Sequence, residues 1–198
     1  MVGASAVRRT FDQLDHYPID VIGNYGLRRG VYDSSAGDLD LIRDVKLDCD
    51  RKSVDQRVTS IRKQFGYTEF SGENVEFHAS GCVTLPLLGT TAAQEDKLRF
   101  APDRPIRRKM LPTVSDMFSE YVVFVGGSSS YDMAPKPYNK YHALDEYCKE
   151  HGFSHKEVVC VGDDYGHGGN DESVYLSDFR FIPVDDYTKL GEYLKELL

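Results

Sequence analysis

An α/β core interrupted by an α+β insert is the fold class this sequence predicts. Two apolar runs, IDVIGN and KEVVCVGD, read as buried strands towards the two ends of the chain. Each is paired with a stretch of helical spacing. Between them, from about residue 28 to residue 132, hairpins alternate with helices, the texture of an antiparallel sheet with helices on it. The expected division is therefore a core of residues 1–27 and 133–198 and an insert of residues 28–132.

The elements follow in order. Ser5 to Leu14 carries Ala6, Val7, Phe11 and Leu14 at helical spacing, with Ser5 as the expected N-cap. After Pro18, IDVIGN is a strand that turns at NYGL. Helix, break and buried strand make half of a βαβ unit, and the strand expected before the helix is not there. VYDSSAGDLDLIRDVKL is a hairpin around Ser34–Gly37. SVDQRVTSIRKQFGY is a helix with Val54, Val58, Ile61 and Phe65 on one face and Gly66 as its stop. NVEFHASGCVTLPLLG gives two short strands. RPIRRKMLPTVSDMF is a helix with Pro112 as a bend or break. YVVFVGG and SSSYDMAP close a hairpin. YNKYHALDEYCKEHG is a helix ended by Gly152, and KEVVCVGD a buried parallel strand. GGNDESVYLS is a short helix, FRFIPV a strand, and YTKLGEYLKELL a closing helix.

Composition narrows the function. The chain has 24 Lys+Arg and 32 Asp+Glu, a net charge of −8, which argues against a protein that grips nucleic acid backbones. No apolar run approaches the roughly 20 residues that span a bilayer, so no membrane partner is expected. Cys49, Cys82, Cys148 and Cys160 form no CxxC pair and read as reduced thiols of the cytoplasm.

The strongest chemical signal is VVCVGDDYGHGGND. A strand delivers Gly162, Asp163 and Asp164 at its carboxyl end, the edge where open α/β sheets bind ligands. A GDD alone is an ordinary surface turn. The strand before it and the GGND helix start after it set this one apart. Asp163 offers a hard oxygen suited to Mg²⁺, and Asn170 and Asp171 open the next helix, placed to cap it or to orient a metal site. Lys140 opens a helix against the dipole preference, so it needs a partner such as a phosphate or a carboxylate. The basic run Arg104, Arg107, Arg108 and Lys109 reads as a solvated helix face that could also attract an anion. His142, His151, His155 and His167 read as exposed residues.

Lys140 followed by the GDD…GGND loop resembles the haloacid dehalogenase (HAD) superfamily of phosphotransferases. The resemblance extends along most of the chain. VGDDYGHGGNDESVY is similar to a GDKTxPGGNDxEI segment of eukaryotic-type phosphomannomutases. SGCVTLPLLGTTAAQEDKLRF and FVGGSSSYDMAPKPYNKYHAL are similar to two further segments of theirs. The class with a large α/β cap (class IIB), which includes broad-specificity sugar phosphatases, is the nearest in layout. The resemblance implies a Rossmann-like core with a cap domain and a Mg²⁺-dependent transfer through an aspartyl-phosphate. It gives Lys140 the role of steadying the phosphoryl charge and Asp163 that of binding the metal, with Asn170 and Asp171 in support. It places Ser130 and Asp132 against sugar hydroxyls. Cap arginines that hold the sugar phosphate are matched here by His78, Thr90 and Lys97. A Thr cannot supply an arginine's fork, which favours a phosphatase over a phosphohexomutase.

The family's first motif, DxDGT, carries the nucleophilic aspartate, and no such motif occurs in this chain. VGASAVRR resembles the junction at the second motif, with Val2 at the hydroxyl position. The expectation is thus a chain beginning at the second motif, with an incomplete core, no nucleophile and little turnover alone. The expected ligand is a small phosphate ester. A mutase and a non-catalytic binder of phosphorylated ligands are the alternatives, and the oligomeric state is left open.

Overall fold

A computed structural model describes residues 1–100 and 104–197 of the chain. Helix α1 (Val7–Gln13) buries Val7, Thr10 and Phe11 and leads to strand β1 (Val21–Gly23). Its N-cap is Ala6, not the expected Ser5. The Ser5 carbonyl instead accepts a hydrogen bond from the Asn24 N–H at 3.0 Å, tying the start of α1 to the end of β1. Strands β2 (Arg28–Asp33) and β3 (Asp38–Asp44) form the expected hairpin. They join β1 in one antiparallel sheet of order β1-β2-β3, with Val21 opposite Gly30. Val2 adds a parallel bridge to Ile22. The hairpin is thus hydrogen-bonded to β1 across the boundary expected at residues 27 and 28.

The next segment builds a second sheet. Helix α2 (Arg51–Phe65) starts at Asp50, whose carboxylate accepts from the Ser53 N–H at 3.0 Å. It stops at Gly66, where φ is 80°. Strands β4 (Glu76–Phe77), β5 (Val83–Pro86), β6 (Tyr121–Phe124) and β7 (Ser130–Pro135) form an antiparallel sheet of order β4-β5-β7-β6. Helix α3 (Gln94–Phe100) was not anticipated. Helix α4 (Arg104–Met117) keeps Pro112 inside it. One face of the sheet packs on α2 and α4. Val54, Val58 and Ile61 from α2 and Met110, Leu111 and Val114 from α4 share one buried cluster with Leu85, Tyr131 and Met133. The alternation of a strand sends Thr84 and Asp132, paired in register, to the opposite face.

The chain end returns to α/β pattern. Helix α5 (Lys140–His151) is capped by Asn139, which accepts from the His142 N–H at 2.8 Å, and Gly152 ends it at φ 72°. Strands β8 (Val159–Gly162) and β9 (Arg180–Pro183) pair in parallel on either side of helix α6 (Glu172–Tyr175). The closing helix is shorter than expected: α7 (Leu190–Tyr193) lies between 3₁₀ turns. Leu198 lies outside the described residues. β8 is not the buried strand its apolar residues suggest, since Val161 is 40% exposed. It pairs with β9, while an apolar groove of about 450 Å³, lined by Val2, Ile22, Cys160 and Val161, runs beside it.

The solvated basic face does not form as expected. Arg107 is wholly buried and donates to the carbonyls of Gly126 (2.7 Å), Ser130 (2.9 Å) and Ser128 (3.1 Å). Tyr131 Oη donates to the Arg107 carbonyl at 2.6 Å. Arg104 and Arg108 donate to the buried Asp164 at 2.8 and 3.2 Å. Lys109 alone of the four is exposed. The reason is periodic: Arg107 falls on the same stripe as Met110, Leu111 and Val114. Replacing Arg107 with Met would strand several buried carbonyls. Urea unfolding should show a loss of about 2–4 kcal/mol, whereas Lys109→Met should change stability by less than about 0.5 kcal/mol.

Candidate functional site

A cleft of about 560 Å³ opens between the inner face of the four-stranded sheet and the junction of α1 with β1. Ser130, Asp132, Lys97, His78 and Thr90 line it from the sheet side. Ser5, Arg9, Asn24, Tyr25 and Asn170 line it from the core side. The expected substrate residues are therefore gathered in one cavity. From the VGASAVRR junction it is Ser5 that reaches the cleft. Val2, expected at the hydroxyl position, lies in the apolar groove instead.

Local bonds fix several of these side chains. Thr84 Oγ1 donates to Asp132 Oδ1 at 3.0 Å, and His78 Nε2 lies 3.0 Å from Thr84 Oγ1. Burial pushes the Asp132 carboxyl above the ordinary carboxylate range, and the Thr84 hydrogen bond opposes this shift. Thr90 is committed to the backbone, its Oγ1 accepting from the Glu73 N–H at 2.9 Å. Lys97 and Arg9 differ from these, since neither has an ion-pair partner among the described residues. The cleft thus carries one unpaired cation on each wall.

The residues of the GDD loop sit elsewhere. Lys140, Asp163 and Asp171 border the apolar groove beside β8. Lys140 Nζ donates to Asp171 Oδ1 at 2.6 Å, so the lysine at the helix start has the carboxylate partner it requires. Asp171 Oδ2 accepts from the Asp164 N–H at 3.2 Å. A Cβ at residue 162 would lie 2.6 Å from the Asp171 carboxyl carbon, so glycine lets that carboxylate approach. Asn170 lines the cleft, with its Oδ1 buried and unpartnered among the described residues. Asp163 is exposed, and its side chain has no partner there either.

This donor set bears on a metal. Asp163 and the orphaned Asn170 oxygen are hard ligands free to accept a cation, whereas both oxygens of Asp171 are already engaged. Mg²⁺ binds through one or two carboxylates and keeps several waters, which the unpartnered Asp163 fits. The described residues gather no group of three His, Cys, Asp or Glu that could hold a metal unaided.

Residues 47–186 match the family described as eukaryotic phosphomannomutase. The chain belongs to that family. A phosphomannomutase of Triticum aestivum is 27% identical over 112 residues, which are 54% of this chain and 43% of the wheat protein. The matched region is thus less than half of that relative's length. Among solved structures, an N-terminally truncated IMP-nucleotidase of Plasmodium falciparum superposes with a TM-score of 0.60 at 16% identity. It covers all of this chain and 60% of that one. A haloacid dehalogenase-like hydrolase of B. subtilis gives 0.60 at 12% identity over all of this chain and 86% of its own. The fold of this phosphomannomutase-family chain is that of the HAD hydrolases. No helix among the described residues is long and apolar enough to cross a membrane.

Sequence reasoning passed over Arg9, Asn24 and Tyr25. Arg9 gave no signal beyond its place after the junction. Asn24 and Tyr25 sit in NYGL, which reads as a plain turn.

The Asp132 carboxyl supplies a pH test. Its folded pKa is raised, so its contribution is most favourable below the ordinary carboxylate range and fades as pH rises through the raised value. Asp132→Asn keeps an acceptor for Thr84 and cannot ionise. Between about pH 4 and pH 7 the variant should lose less stability than the parent in urea titrations. Equal slopes would mean the carboxyl ionises freely in the fold.

Proposed function

We propose that this chain binds a phosphorylated sugar or similar small metabolite in the cleft, and that the family chemistry it serves is Mg²⁺-dependent phosphoryl transfer. The carrying observation is that two unpaired cations, Arg9 from the core side and Lys97 from the sheet side, line one cleft with Ser130 and Asp132. Two cations converging on one cavity suit a phosphate monoester, and hydroxyl-bearing side chains suit a sugar. The reach for a second phosphate is reduced, because Thr90 accepts from the Glu73 N–H and His78 lies against Thr84. That supports hydrolysis over mutase action.

In this reading Asp163 would hold Mg²⁺, which neutralises charge on a phosphoryl group, with Asn170 of the same loop reaching in from the cleft. Lys140 steadies the same charge, and Asp171 positions Lys140 and the loop. Positioning and charge neutralisation are the larger part of such catalysis. An aspartyl-phosphate needs a nucleophilic carboxylate, and DxDGT is absent from this sequence. The chain alone is therefore expected to bind with little or no turnover. The division into a core and a substrate-covering cap belongs to the same proposal, with the hairpin β2–β3 counted in the core. The described cysteines are free thiols, which supports a cytoplasmic setting.

A second reading, phosphohexomutase, draws on the family match over residues 47–186. One assay separates the readings. The chain is incubated with Mg²⁺, mannose 1-phosphate and a hexose bisphosphate, while isomer and free phosphate are followed. Binding with neither product is the expected result. Robust phosphate release would overturn the claim of inactivity, and isomerisation outpacing release would favour the mutase. Separately, Asp163→Asn should abolish Mg²⁺-induced NMR shifts of the Gly162–Asp164 amides. Persistence of those shifts would remove Asp163 from the metal site.

A further inference from the structure

The turn after β1 is strained in an informative way. Three successive residues adopt positive φ: Asn24 (49°), Tyr25 (58°) and Gly26 (102°). Gly26 suits such backbone. A tyrosine does not, because its Cβ crowds the carbonyl in the left-handed region. Such outliers persist only where the surroundings hold them, and they cluster at working sites.

The conformation carries the Tyr25 ring onto Phe124 of the sheet, stacked at 4.5 Å and 13°. Leu27, Cys82 and Ala134 complete that apolar cluster. A phenylalanine would stack as well. What tyrosine adds is a hydroxyl, and that hydroxyl is buried with no partner among the described residues. Tyr25 is 2% exposed and Asn24 is 6% exposed, and the Asn24 Oδ1 is orphaned in the same way. Buried polar atoms are almost always satisfied, so two adjacent orphans on the wall of one cleft call for an explanation. The fold gains nothing visible from either atom.

We infer that Tyr25 and Asn24 form a specificity subsite that takes the hydroxyl groups of a polyhydroxylated ligand. This rests on the phosphorylated-sugar reading above and deepens it. The chemistry selects hydroxyls over an anion. The phenol is a neutral donor and the amide oxygen is an acceptor, a pairing that a vicinal diol complements. The Asn24 oxygen repels an anion, and the Asp132 carboxyl across the cleft reinforces that preference. The phosphate is left to Arg9 and Lys97, and the sugar body to Tyr25 and Asn24. Tyr25 would discriminate among ligands and would take no part in bond making.

The test compares the full chain with Tyr25→Phe and Asn24→Gly, titrating each by NMR with a hexose 6-phosphate and with inorganic phosphate. Tyr25→Phe removes one oxygen and keeps the stack, so its melting temperature should not fall. Asn24→Gly keeps a residue suited to positive φ. Each variant should bind the hexose phosphate about 3- to 10-fold more weakly, the worth of one hydrogen bond. Inorganic phosphate should change by less than about 2-fold. Unchanged hexose phosphate affinity in both variants, or equal losses for both ligands, would overturn the subsite and leave the cleft reading in place. If the parent chain binds neither ligand, the cleft reading falls and the subsite with it.

Discussion

Asp164 is the point on which the two walls of the cleft depend. It lies buried at the end of β8, and two guanidinium groups from α4 reach it, Arg104 at 2.8 Å and Arg108 at 3.2 Å. Its carbonyl also accepts from the Asp171 N–H at 3.0 Å, which holds the GGND loop closed on itself. Arg107, on the next turn of α4, grips the carbonyls of Gly126, Gly127, Ser128 and Ser130. Residues 104, 107 and 108 share one helix face by the i, i+3, i+4 rule. A single helix therefore holds both the loop that carries Asp163 and Asn170 and the loop that carries Ser128 to Ser130. Buried ion pairs add little net stability beside an apolar replacement, yet they are expensive to break once formed. The clamp is better understood as fixing position than as holding the fold together.

Most of the secondary structure was legible because each element carries a local signal. Val54, Val58 and Ile61 announce α2 by period, and Gly66 announces its end. Asn139 and Gly152 bracket α5 in the same way. Ser34–Gly37 sets the hairpin. Tertiary consequences were less legible. KEVVCVGD reads as buried because its residues are apolar, but burial depends on what lies beside the strand, and the groove there leaves Val161 partly exposed. The basic run misled for a related reason. Charge suggests solvent, and only the coincidence of Arg107 with the Met110, Leu111 and Val114 stripe signals that a guanidinium points inward.

The candidate site divides along the same line. Lys140, Asp163, Asn170 and Asp171 were found because their spacing carries chemistry. The bond from Lys140 to Asp171 shows why a cation tolerates the start of a helix: the carboxylate meets it at 2.6 Å. Tyr25 could not be found this way. A backbone of positive φ at a tyrosine leaves no mark in sequence beyond the neighbouring glycine, and an orphaned hydroxyl is visible only when every neighbour has been placed.

The position of Thr90 is set by local packing. Thr90 accepts from the Glu73 N–H, and a Cβ on Gly72 would lie 2.6 Å from the Thr90 hydroxyl. The 71–73 loop is thus folded tightly over residue 90, at a glycine with φ of 81°. A guanidinium on a long stem would have to displace that loop to enter the cleft. Gly72, Thr90 and Thr91 therefore form one local arrangement. With Thr90 committed to this loop, that wall offers a ligand mainly neutral hydrogen-bonding groups. That is the setting in which the hydroxyl of Tyr25 and the amide of Asn24 carry the most weight.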